Sequence, residues 1–206
     1  MRKFETVEAV AAAMDMANVD TDQIIPARFL WRARAEGYGA LLFNDIRSEA
    51  DGSAKPDFVL NLPASAGAGV LVADRNFGCG SSREHAVWAL SDAGFRVVIA
   101  PSFGDIFFNN SFKNGLLPIV LPEARCAEIR AALARNPGAK LVVDLEAQEV
   151  RGPLGINDGF RIDSFEIDPF RKELLLAGMD DIAFTLSQQG AIDAFEGRYA
   201  AEMPWL

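Results

Sequence analysis

The stretch Asp74-Arg75-Asn76-Phe77-Gly78-Cys79-Gly80-Ser81-Ser82-Arg83-Glu84-His85-Ala86-Val87-Trp88-Ala89-Leu90 decides the fold. Ahead of it, Gly69-Val70-Leu71-Val72-Ala73 is a short apolar run that predicts a buried strand. Behind it, Ala86, Val87, Ala89 and Leu90 make one apolar helical face, and Gly94 offers a stop. The turn between strand and helix holds two glycines and two serines. Gly78 and Gly80 admit backbone angles that a side chain forbids, and they let a ligand approach the main chain. Ser81 or Ser82 is expected as the N-cap, with Glu84 at capping-box spacing from Ser81. A helix start carries free N–H groups and positive potential, and Arg83 adds a charged fork suited to a carboxylate. The stretch therefore reads as a carboxylate-binding turn bearing two hydroxyls.

Several familiar motifs are excluded. A dinucleotide fingerprint would need its third glycine where Arg83 stands, and no Gly-Lys-Ser or Gly-Lys-Thr follows to make a phosphate loop. A hydrolase elbow needs glycine two residues either side of serine, which neither Ser81 nor Ser82 has. Cys79, flanked by glycines, reads as a small packed residue. His85, the single histidine of the chain, reads as packed or hydrogen-bonded.

The segment Asn76-Phe77-Gly78-Cys79-Gly80-Ser81-Ser82-Arg83-Glu84-His85 resembles the active-site motif of the swivelling domain in the aconitase superfamily, and most closely that of the isopropylmalate dehydratase small-subunit family. Three further stretches agree: Asp20-Thr21-Asp22-Gln23-Ile24-Ile25-Pro26, Phe107-Phe108-Asn109-Asn110-Ser111-Phe112-Lys113-Asn114-Gly115 and Ile167-Asp168-Pro169-Phe170-Arg171-Lys172. The resemblance thus spans nearly the whole chain. Val87 departs from it, because members often carry proline there. Early in a helix either residue is tolerated.

The resemblance implies stereospecific dehydration and rehydration of a 2-hydroxy dicarboxylate. It implies Ser81 as the base, substrate-carboxylate contacts from Ser82 and Arg83, and an active-site carboxylate at Asp22. It also implies that Pro26-Ala27-Arg28-Phe29-Leu30-Trp31-Arg32 meets the substrate's variable side chain, with Leu30 as an apolar contact. Asp20 reads as part of a polar turn, and Arg32 and Arg34 as solvated loop residues. Small subunits of homoaconitase and of methylmalate dehydratase share the motif and differ in the loop around Leu30. A non-catalytic carboxylate-binding module is the reading from another class.

Composition sets bounds. The 206 residues, half of them hydrophobic, suffice for one domain with a real core, expected over 1–206. No apolar run suffices to span a bilayer, and Met1-Arg2-Lys3-Phe4 lacks a signal-peptide core, so a cytoplasmic protein without membrane contact is expected. A formal net charge of −9 argues against a nucleic-acid partner, though not against a small anion at a local positive site. Two cysteines, Cys79 and Cys126, with one histidine cannot assemble a metal site or a disulfide framework. Relatives implied by the resemblance use an iron–sulfur cluster as Lewis acid. The expectation is therefore no cofactor on this chain, and a large subunit that brings a 4Fe–4S cluster.

The remaining elements follow from pattern. Strands are expected at Phe95–Ala100 and at Leu116–Val120, where Pro118 implies an edge or an irregular point. Helices are expected from Phe103 to Lys113 and from Glu123 to Arg135, with stops at Asn114-Gly115 and Asn136-Pro137-Gly138. Their alternation predicts an α/β fold with a parallel core. Leu141–Leu145 and Gln148–Val150 predict a hairpin that Phe160-Arg161-Ile162 joins. Residues 1–19 begin with a strand or short helix, Phe58–Leu60 is a strand or a helix end, 48–57 is a surface loop, and the tail from Pro169 is helical with a break at Gly178.

Overall fold

A computed structural model describes residues 1–154 and 162–203. Its strands are β1 (Val7–Ala13), β2 (Val70–Val72), β3 (Val97–Ala100), β4 (Leu117–Val120), β5 (Lys140–Asp144), β6 (Glu149–Leu154) and β7 (Ile162–Ser164). Among the described residues they form a seven-stranded sheet in the order β4-β3-β2-β1-β5-β6-β7. The first four in that order are mutually parallel, and the pairings from β1 outward through β5, β6 and β7 are antiparallel. The parallel core and the hairpin are as expected, and β4 lies at the sheet edge, where Pro118 needs no ladder partner on its outer side. The start of the chain resolves to β1, the strand on which the two halves join. Its residues Ala11–Ala13 pair with β2, while Val7–Val10 pair with β5. Phe160 and Arg161 lie outside the described residues, and Ile162 pairs with Arg151.

Side chains alternate across the sheet, which divides the core in two. Leu71 and Val98 point into one cluster with Ile24, Phe77, Val87 and Leu90; Val70, Val72, Val97 and Ile99 point into the other with Cys126, Ile129 and Leu133. The helices are α1 (Thr21–Ile24), α2 (Asn44–Arg47), α3 (Glu84–Asp92), α4 (Asp105–Lys113), α5 (Glu123–Arg135), α6 (Pro169–Ala177), α7 (Asp181–Ser187) and α8 (Gln189–Glu202). The apolar face expected for α3 is the buried one: Ala86, Val87, Ala89 and Leu90 are fully enclosed. Truncating a leucine in such a setting costs about 3 kcal/mol. Helix α5 covers the opposite face through Cys126, Ile129 and Leu133. Gly178 closes α6 in the left-handed conformation, φ 70°. Val59–Asn61 is a single 3-10 turn rather than a strand.

One local expectation is overturned. Neither Ser81 nor Ser82 caps α3: the N-cap is Arg83, extended at φ −99° and ψ 107°, and no side chain caps this helix start. Arg83 N–H donates to the Ser81 carbonyl at 2.8 Å, so a tight turn holds both serines outside the helix. The Glu84 carboxylate instead accepts from Asn114 Nδ2 at 2.8 Å and is not free to form a capping box.

Candidate active site

The glycine turn is held from both sides. Gly78 N–H donates to the Val19 carbonyl at 2.7 Å, and Thr21 N–H to that of Cys79 at 2.9 Å. On the far side Phe77 N–H donates to the Ser102 carbonyl at 3.1 Å, and Gly104 N–H to that of Phe77 at 2.9 Å. Gly78 has φ 72°, and a Cβ there would enter the Phe107 ring. That position requires glycine both for its backbone and for its neighbour. Behind the turn, the buried Arg130 of α5 donates to the Ala73 carbonyl at 2.9 Å and pairs with Asp74 at 3.3 Å and Asp15 at 3.1 Å. The end of β2, from which the turn springs, is thereby fixed.

Ser81 and Ser82 are exposed, and among the described residues neither hydroxyl has a hydrogen-bond partner. Arg83 is mostly enclosed and forms an ion pair with Asp22, the exposed acid in the first turn of α1. The structure therefore brings Asp22, Ser81, Ser82 and Arg83 to one place. Two chain segments that lie 61 residues apart meet there through the Arg83–Asp22 pair.

Asp20 is structural, as expected. It caps α1, accepting from Gln23 N–H at 2.7 Å while the Gln23 side chain accepts from Asp20 N–H at 2.9 Å. The spacing of an N-cap acid and a glutamine at N3 was visible in the sequence. Thr21 is the residue that sequence reasoning passed over. Buried at 2% exposure, it donates its hydroxyl to the Ser81 carbonyl at 3.1 Å. No local signal announces this, because its acceptor belongs to a distant turn.

The 26–38 segment folds as short 3-10 turns laid against α3. Leu30 is half-buried against the core, while Trp31 is 81% exposed. The loop arginines each have an internal carboxylate: Arg28 pairs with Asp45, Arg32 with Glu36, and Arg34 grips Asp92 with two bonds at 2.6 and 2.8 Å. Arg28 holds the Asp45 carboxyl down to about 2, by a hydrogen bond first and by charge as well. Tyr38 N–H also donates to Asp92, at 2.8 Å, and the Tyr38 hydroxyl donates to the Arg32 carbonyl at 2.6 Å.

The two thiols are poor nucleophiles and poor ligands. Burial, with Asp20 nearby, pushes the Cys79 thiol up from its ordinary range. Burial pushes Cys126 up to about 11. Among the described residues no group of three or more histidine, cysteine or carboxylate side chains is placed to hold a metal. The donor set here does not fit an iron–sulfur cluster, which needs cysteine thiolates gathered around it. No helix among the described residues is long and apolar enough to cross a membrane.

A mixed sheet with helices on both faces and a serine-bearing turn at the end of its central parallel strand defines an aconitase-type swivelling domain. Residues 1–124 match a family model described as the aconitase C-terminal domain. Residues 127–169 match one described as LeuD_N, and 181–206 one that describes the C-terminal domain of the 3-isopropylmalate dehydratase small subunit. A 3-isopropylmalate dehydratase small subunit of Afipia carboxidovorans is 53% identical over 206 residues, all of both chains. One of Azorhizobium caulinodans is 52% identical, again over all of both chains. A crystal structure of a 3-isopropylmalate dehydratase from Methanocaldococcus jannaschii superposes with TM-score 0.63 at 26% identity, covering 93% of this chain and 99% of that one. The chain belongs to the 3-isopropylmalate dehydratase small-subunit family.

Proposed function

We propose that this chain, folded as one swivelling domain over 1–206, is the small subunit of a 3-isopropylmalate dehydratase. With a separate large subunit it interconverts 2-isopropylmalate and 3-isopropylmalate through 2-isopropylmaleate, a hydro-lyase step of leucine biosynthesis in the cytoplasm. The observation that carries the reading is a turn whose two hydroxyls have no partner among the described residues, beside an arginine already engaged by a carboxylate.

Ser81 takes the proton from the carbon next to the one that loses hydroxide; on rehydration it delivers a proton to the carbon that had held the hydroxyl, while hydroxide adds at the carbon that had given up the proton. Its alkoxide is tolerable only where fixed N–H dipoles and a cation stabilise it, and on this chain the uncapped start of α3 and Arg83 are the groups that would do so. Ser82 and Arg83 hold a substrate carboxylate in one pose, which converts the encounter into an oriented reaction. Asp22 keeps the Arg83 fork aimed across the site. Leu30 offers the isopropyl group an apolar surface. A 4Fe–4S cluster on the large subunit supplies the Lewis acid that helps hydroxide leave.

The test is reconstitution with a cluster-loaded large subunit from a relative. Activity is expected in the mixture and in neither component alone. Iron assay and visible absorbance of the pure chain are expected to be blank, and a stoichiometric cluster on it would overturn the split of labour.

A further inference from the structure

Helix α3 opens with its own acid, yet another helix holds that acid. Glu84 is the first residue of α3 and the acidic residue of its first turn. A carboxylate placed there is ordinarily drawn to the N–H groups and positive end of the helix. Here it accepts instead from Asn114 Nδ2 at 2.8 Å, and among the described residues no side chain caps α3. The Asn114 amide also accepts through Oδ1 from Trp88 Nε1 at 2.9 Å, one turn further along α3.

The two bonds together fix the amide. The Trp88 ring nitrogen only donates and an ionised carboxylate only accepts, so the group between them must offer one acceptor and one donor. Asparagine does so with two separate atoms, Oδ1 toward Trp88 and Nδ2 toward Glu84. Its place is set by α4, which it closes: Asn114 N–H donates to the Asn110 and Ser111 carbonyls, at 3.2 Å each, and Nδ2 also donates to the Asn110 carbonyl at 2.9 Å. Ser111 is wholly buried and donates its hydroxyl to the Phe107 carbonyl at 2.8 Å. Trp88 is lodged against His85 and Tyr38, with ring centroids 4.5 and 5.9 Å away.

We infer that Asn114 is a positioning residue that keeps the Glu84 carboxylate off the start of α3, leaving the N–H groups there and Arg83 open to the substrate carboxylate. This deepens the proposed reading of the serine turn and rests on it. Glu84 directly follows Arg83, so once released it becomes an internal anion drawn to the same positive groups. Such competition weakens substrate binding and leaves Ser81 untouched, so it shows in KM and not in kcat.

Variants at the two positions test this. Asn114→Asp keeps the acceptor for Trp88 but sets a second carboxylate against Glu84, which drives it off. Adding Glu84→Ala returns the net charge to that of wild type and removes the competitor without rebuilding the bond. Asn114→Ala frees Glu84 with no added charge and is expected to move both readouts in the same direction as Asn114→Asp. In the chain without partner, hydrogen exchange of the His85 amide is expected to slow about threefold in Asn114→Asp, as the freed carboxylate reaches the helix start, and to recover in the double variant. In the reconstituted enzyme, KM for 2-isopropylmalate is expected to rise about fivefold in Asn114→Asp, with kcat within about twofold of wild type, and to recover in the double variant. A purely structural Asn114 predicts no recovery, because the double variant leaves the bond broken. Unchanged His85 exchange in folded Asn114→Asp and Asn114→Ala chains, an unchanged KM, or a KM that stays high once Glu84 is gone would each overturn the inference. The exchange measurement needs no activity, so it stands apart from the outcome for Ser81.

Discussion

A serine hydroxyl takes a proton from carbon only when its alkoxide is held by dipoles and charge, so Ser81 is where the proposed chemistry is most exposed to test. Ser81→Ala should fold and assemble yet lose at least about a hundredfold in turnover, the low end for removal of an acid–base group. Near-normal turnover in the assembled variant would remove Ser81 as the base. Arg83→Lys keeps the charge but loses the planar fork, one nitrogen of which pairs with Asp22, so KM should rise while the melting temperature holds. A sharp fall in melting temperature at constant KM would make Arg83 a structural residue. His85 carries a pH signature. Burial lowers its ring below the ordinary 6.5; the Glu84 charge opposes this, and Arg83 adds a smaller lowering effect. The unfolded chain then binds more protons than the folded one in the window below pH 6.5. Stability contributed by the neutral ring is present above that pH and is lost as pH falls through it. Denaturant midpoints between pH 7.5 and 5 should show this slope in wild type and a shallower one in His85→Phe; equal slopes would count against it.

At the scale of elements, the glycine turn depends on its neighbours more than on itself. Gly78→Ala forces a left-handed backbone on alanine and drives a methyl into Phe107 of α4, at a cost of about 3 kcal/mol. A loss below about 1 kcal/mol in chemical denaturation would mean that α4 yields more readily than its packing implies. Thr21→Val removes the hydroxyl that holds the Ser81 carbonyl and should cost about 1 kcal/mol, with turnover falling out of proportion to stability. The 26–38 loop sets specificity on the present reading. A buried methylene is worth about 0.8 kcal/mol, so Leu30→Arg should reverse much of a preference for isopropyl over methyl. Efficiency ratios for the two substrates, with one large subunit throughout, decide the point. An unchanged ratio assigns specificity to the large subunit.

Across the molecule, one side chain ties the two faces of the sheet to the site. Arg130 belongs to α5, on the face away from α3, yet it reaches the carbonyl that ends β2 and the acids Asp15 and Asp74. Arg130→Met keeps the buried stem and abandons the Ala73 carbonyl and the half-buried Asp74, a loss of about 2 kcal/mol. Activity should fall beyond what stability explains, because the strand that carries the turn loses its anchor. A variant with wild-type kcat at a temperature where it is fully folded would reduce Arg130 to ordinary support.

The sequence by itself determined the strand–turn–helix at 69–90, the helix from Glu123 to Arg135 and the family. Each of these is written in short-range features: apolar period, glycine and proline placement, and a motif of contiguous residues. It did not determine the cap of α3. Serine and glutamate at the right spacing promised a capping box, but Asn114 from α4 takes the Glu84 carboxylate, and the Arg83–Ser81 turn leaves the serines outside. Nor did it determine that β1 pairs parallel with β2 and antiparallel with β5, that Thr21 supports Ser81, or that Asp22 meets Arg83. Those pairs bring together residues about sixty or more positions apart. Only closure of the chain around a common core selects them, because the free energy that does so is spread over many buried side chains and leaves no mark on either partner alone.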